Sequence, residues 1–193
     1  MAPKYVLRSK HFRPADVAKI AGFTPGAQRD LKRRGYNFGE DSDGWLNATA
    51  HDIAKLLLVK TLREAGIELA EAWRQADPEI VGNLLLHAVL QPHAIDLHTD
   101  GQDAPKINPS ILNKWAMDFA AAHTEDRSHV AGGSYIVFGP TIPAGLYGSI
   151  EHALEIASKK HNGPHLVGHV VMMRELSKLL AQRAGQLAYI ERA

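Results

Sequence analysis

The chain reads as mainly α with small β elements, with a helical N-terminal region (1–77) and a small α+β C-terminal region (78–193). Three observations predict this. Apolar residues recur at helical spacing in most segments, between residues suited to helix caps. A few short β-branched and aromatic runs lie among them. Charge is uneven along the 193 residues: nine Lys/Arg stand against two Asp/Glu in residues 1–36, four against eight in 37–77, and nine against eleven in the rest. A net charge of only +1 hides this basic N-terminus, which is either a solvated face or the footprint of a polyanion site.

The elements follow in order. Pro14 suits a first helical position, and Val17, Ile20 and Ala21 recur on one face, predicting a helix over 14–21. Gly22 permits a tight turn. Thr24 then caps a second helix with Pro25 at its first position, running to Arg34 before Gly35. Phe23 and Leu31 anchor it on the first helix. The stretch "NFGEDSDGWLN" predicts a β-hairpin. Thr49 and Asp52 form a capping box for a longer helix with Ile53, Leu56, Leu57 and Leu62 on its apolar face, closed by Gly66. A fourth short helix spans about 68–76.

Composition narrows the chemistry. Cysteine does not occur in the sequence, which excludes disulfides, thiolate metal sites and cysteine nucleophiles. The N-terminus lacks the apolar run of a signal peptide, and nothing approaches the roughly 18 apolar residues of a membrane span. A cytoplasmic location without membrane association is the expectation.

Three motifs in the N-terminal region carry a family resemblance. "VAKIAGFTP" at 17–25, "GWLNATAHDI" at 44–53 and "LREAGIELAE" at 62–71 match, in order and spacing, a "VAKLAGVSP"-like start, a "GYRxYSxxDV" wing and helix, and an "LRELGFSLEE" run. Over about 13–76 the chain resembles the winged helix-turn-helix of MerR-type transcription regulators. The family's "LRYYE" is met by "QRDLK" at 28–32, keeping the arginine as Arg29, while the wing arginine corresponds to Leu46 and the hairpin tip "EDSD" (40–43) is acidic. The resemblance implies a DNA-binding homodimer. The usual coiled coil after the fourth helix has no counterpart, because the apolar run 79–91 meets Pro92; residues 79–193 are then the expected source of the dimer.

An α-helix fits the major groove, where each base pair has its own donor and acceptor pattern. Gly26, Arg29 and Arg33 lie at i, i+3 and i+7 and share one stripe. Gly26 allows close backbone approach, and Arg29 can fork onto guanine. Lys32, Arg34 and Arg13 suit phosphate contacts. The candidate DNA-binding set is Arg13, Thr24, Gly26, Arg29, Lys32, Arg33 and Arg34. Gln28 could face the groove or the packing side.

In the C-terminal region, 92–106 reads as a polar loop. Asn108 and Pro109 start a helix carrying Ile111, Leu112, Trp115 and Phe119. "YIVF" is a strand, Ser149 caps a helix with Ile150, Leu154 and Ala157 inward, "HLVGHVVM" is another strand and "RELSKLLAQRAG" a further helix, with "QLAYI" as a short edge strand. Nine of eleven histidines lie between His87 and His169. His161, His165 and His169 would share a face if helical, though Gly163 and Pro164 intervene; His123, Asp126 and His129 are a second grouping. Scattered, hydrogen-bonded histidines are the simpler reading, and no metal or other cofactor is assigned. Neither a Ser/His/Asp arrangement nor a phosphate loop is found, and no catalytic residue is assigned. The expected function is sequence-specific transcription regulation, not catalysis, with a C-terminal region serving oligomerisation, partner binding or sensing of a protein or small-molecule effector. The alternatives are an excisionase-like or architectural DNA-binding protein and, more distantly, a histidine-rich metal-dependent enzyme carrying a DNA-binding module.

Overall fold

The computed structural model describes residues 5–42, 45–96, 108–123, 135–139, 142–161 and 169–192. It is mainly helical with small strands, as the sequence predicts. A strand β1 (Tyr5–Ser9) leads into helices α1 (Pro14–Ala21) and α2 (Pro25–Arg33), then a hairpin of β2 (Glu40–Ser42) and β3 (Trp45–Asn47). Helices α3 (Ala50–Glu64), α4 (Leu69–Gln75) and α5 (Pro78–Val89) follow, then β4 (Ile95–Asp96) and α6 (Pro109–Ala120), with a 3₁₀ turn at Ala121–His123. The remainder is β5 (Tyr135–Gly139), β6 (Ile142–Tyr147), α7 (Ile150–His161), β7 (His169–Met172), α8 (Met173–Ala184) and β8 (Ala188–Arg192).

Local chemistry explains most helix starts. The Thr49 hydroxyl accepts from Asp52 N at 3.2 Å while the Asp52 carboxylate accepts from Thr49 N at 2.8 Å, closing the capping box of α3. Asp77 accepts from Ile80 N at 2.8 Å to start α5, Asn108 from Ser110 N at 2.9 Å to start α6, and Ser149 from His152 N at 3.2 Å to start α7.

The division at 77/78 is not a division of the core. One cluster of buried apolar residues runs from Phe12 through Ile53, Leu84 and Leu180 to Leu187. Helix α5 is the reason. Residues 80–86 are all buried, as are Ala88 and Val89; a helix apolar all round must be covered all round, and α3, α6 and α8 pack against it. The apolar run at the start of residues 79–193, the expected source of the dimer, is therefore interior over 80–89. Ser177 Oγ reinforces the packing by donating within reach of Met173 O (2.6 Å) and Leu84 O (3.1 Å).

The two ends of the chain meet. β1 pairs antiparallel with β8, from Tyr5 opposite Arg192 to Ser9 opposite Ala188, and β4 runs parallel to β8 on its other side. "QLAYI" thus contributes the central strand of a three-stranded sheet, not an edge strand. A second sheet has the order β6-β5-β7. Its edge strand β6 was hidden in the sequence by Pro143, a residue that strands tolerate chiefly at edges. On β7, Val171 is buried whereas Val170 and Met172 are exposed, the alternation of a one-faced strand. On α6 the fully buried positions are Ala116 and Ala120; Trp115 and Phe119 are half-buried and Ile111 is exposed.

Among the described residues no group of three or more His, Cys, Asp or Glu could hold a metal ion, and both histidine groupings include residues outside that set. His161 ends α7 and His169 begins β7, so no single helix carries them; His165, Asp126 and His129 lie outside the described residues, as do Asp43 and Gly44 at the hairpin tip. Among the described residues no helix is long and apolar enough to cross a membrane.

Candidate nucleic-acid interface

The approach to α1 is fixed by backbone pairing: Phe12 N donates to Ala48 O at 2.8 Å, and Ala48 N returns a bond to Phe12 O at 3.0 Å. The Asp16 carboxylate then accepts from Arg13 N at 3.1 Å, placing Arg13, exposed, just before Pro14. Val17, Ile20 and Ala21 are buried, as their spacing predicts. Gly22 turns the chain with φ 77°, a left-handed conformation that most side chains resist.

Three residues separate the end of α1 from the start of α2. The Thr24 hydroxyl accepts from Ala27 N at 3.3 Å and Pro25 occupies the first helical position. Thr24 thus acts as a cap and stays exposed at the helix start. The inward face of α2 is Gln28 and Leu31, both buried; Phe23, the other expected anchor, is half-buried against the core. The orientation of Gln28, open in the sequence, is decided by two carbonyls. Its Nε2 donates to Pro14 O at 2.8 Å and to Phe23 O at 2.7 Å, joining α2 to the first residue of α1 and to the turn. In the sequence, the sign of this role was that Gln28 shares a helical face with Leu31.

The far end of α2 is also held. Tyr36 N donates to Leu31 O at 3.0 Å after Gly35, and Tyr36 and Phe38 pack on Trp73 of α4 with ring centroids 5.0 and 6.2 Å apart. Lys55 lies over the same Trp73 ring at 4.6 Å; burial pushes its ammonium pKa down, opposed by Asp52 and Asp77. Sequence reading missed Trp73, which pins the segment after α2. A further tie comes from the other end of the chain: Arg183 of α8 donates to Ile20 O in the last turn of α1 at 3.1 Å.

What remains outward on and beside α2 is Gly26, Arg29, Arg33 and Arg34, all exposed, with Lys32 half-buried beside the Phe38 ring at 5.8 Å. This is the stripe the spacing predicts, set opposite Gln28 and Leu31. Asp30 pairs with Arg33 and, at 3.9 Å, with Arg34. Arg29 makes no hydrogen bond or ion pair among the described residues. A Cβ built on Gly26 would meet only the Thr24 hydroxyl, at 3.9 Å, so the fold does not require glycine there. In the hairpin, Asp41 opposes Leu46 and Ser42 opposes Trp45; the side chains of 41–46 lie outside the described residues.

Comparison of the chain with protein-family models, curated proteins and solved structures found no match.

Proposed function

We propose that this chain is a sequence-specific DNA-binding regulator of transcription that lays α2 in the major groove of double-stranded DNA. The observation carrying the proposal is the outward stripe Gly26–Arg29–Arg33, with Arg29 unengaged among the described residues on a helix locked inward by Gln28 and Leu31. Arg29 reads a base edge; Arg13, Lys32, Arg33 and Arg34 hold phosphates and set register. The pairs of Arg33 and Arg34 with Asp30 are exposed, and such pairs contribute about 0–1 kcal/mol, so exchanging them for phosphate costs little. The resemblance to MerR-type domains supports the same docking.

One short helix reads few base pairs, so the proposal includes a homodimer that spaces two copies of α2 roughly 34 Å apart. Helix α5 lies inside the core, so the interface belongs to exposed surface within residues 79–193.

The test uses selected binding sites and fluorescence anisotropy. Arg29→Ala should weaken the preferred site by about 1–3 kcal/mol and relax preference there, whereas Lys32→Ala should weaken all sequences alike. Unchanged affinity and preference in Arg29→Ala would remove the stripe from the proposal. Sedimentation of the full chain reports the oligomeric state.

A further inference from the structure

A cleft of about 410 Å³ opens between the turn after α5 and the end of α8, within the range of about 300–1,000 Å³ typical of small-ligand sites. Gln91, Pro92 and His93 line one side; Lys178, Gln182 and Gly185 line the other. Both walls are closed structures. Ala94 N donates to Gln91 O at 3.2 Å to shut the turn, and Gly185 N donates to Ala181 O at 2.9 Å to end the helix. The walls are tied together where Ala94 O accepts from Leu187 N at 2.7 Å and from Ala188 N at 3.3 Å, and β4 continues the link by pairing with β8. Such a cleft exists before any ligand arrives, so little ordering opposes binding.

The backbone of the turn adds an independent sign. His93 has φ 66° and is the one non-glycine in the left-handed region among the described residues. Backbone of this kind is uncommon outside glycine and persists where surrounding structure enforces it, often at ligand sites.

The lining determines the ligand class. Lys178 brings an ammonium, His93 a ring N–H and Gln182 an amide, while Pro92 and Ala181 give apolar wall. None of the described lining residues is a carboxylate. Glu175 pairs with Lys178 at 2.8 Å, with both side chains more than a third exposed, and a pair of that kind is easily exchanged.

The geometry points to a site for a small organic carboxylate with an apolar body, its carboxylate on Lys178 and His93 and its body along Pro92 and Ala181. This inference does not rest on the DNA reading. The test is titration of the full chain, followed by amide NMR shifts, with benzoate and 4-phenylbutyrate, with the matching uncharged amides, and with inorganic phosphate. The carboxylates should give saturable shifts clustered at residues 91–93 and 178–185. The uncharged amides should bind about tenfold more weakly, as should the carboxylates to Lys178→Met, because a charge-assisted hydrogen bond is lost in each case. His93→Asn keeps a residue that tolerates left-handed backbone and should also weaken the carboxylates. Scattered shifts, equal binding of acid and amide, or phosphate binding as tightly as 4-phenylbutyrate would overturn the proposal. The comparison of acid with amide needs no variant, so misfolding of a variant cannot obscure the result.

Discussion

Replacing Gln28 by leucine isolates the contact that aims α2. The side chain is 2% exposed, and leucine has nearly its bulk but no donor. Two neutral hydrogen bonds, to Pro14 O at 2.8 Å and Phe23 O at 2.7 Å, are lost; each contributes about 0.5–1.5 kcal/mol net. Together these give a destabilisation of about 1–3 kcal/mol, or a fall of about 0.5–1.5 M in the urea midpoint for an m-value near 2 kcal/mol/M. Gln28→Glu adds a signature in pH. Its carboxylate would face two carbonyl acceptors, which favour the protonated form, so the folded pKa rises above the unfolded one. Stability held by the protonated side chain is then full below the unfolded pKa and is lost as pH rises through the folded pKa. Gln28→Glu should approach the wild type in acid and fall away towards neutral pH. Urea unfolding followed by tryptophan fluorescence, repeated across pH, measures both effects. If Gln28→Leu unfolds at the wild-type midpoint, the two bonds do not hold α2 and the account of its orientation fails.

Three further outcomes test the interface and its support. Gly26→Ala adds a methyl that meets only Thr24 Oγ1, so thermal stability should hold or rise, while DNA affinity should drop by about 1–3 kcal/mol through overpacking at the groove; intact affinity would show that the backbone does not approach DNA at this point. Asp30→Asn releases Arg33 and Arg34 and removes a negative charge from the helix, so affinity for any DNA should rise and its salt dependence steepen by about one phosphate contact; weaker binding would give Asp30 a positive role. Hydrogen bonds from Arg74 and then Gln75 lower the Glu71 carboxyl pKa, so its stabilisation is present above the unfolded carboxylate pKa and lost as pH falls through the depressed folded value. Glu71→Gln should flatten that acid limb of the stability profile, and parallel acid limbs in the two proteins would exclude the contribution.

Much of the N-terminal region is legible in the sequence because its determinants act within a few residues. Thr24 and Pro25 start α2 and Gly35 follows its end; Thr49 and Asp52 close a capping box three residues apart; Val17 and Ile20 mark a buried face by spacing alone. The outward stripe Gly26–Arg29–Arg33 is legible for the same reason, since helical geometry carries it without reference to any neighbour. Spacing cannot say what covers a face or which strand lies beside another. That Gln28 turns inward depends on the carbonyls of Pro14 and Phe23 converging on it. That the run 80–89 is interior depends on helices from both sides of it in the chain. That residues 5–9 form a strand depends on β8, about 180 residues away, and the partner Ile20 O for Arg183 is equally remote. Caps, turns and periodicity are short-range and written into adjacent residues; strand partners, burial on every side and the direction of a polar side chain are set by contacts between distant segments, which only the folded chain brings together.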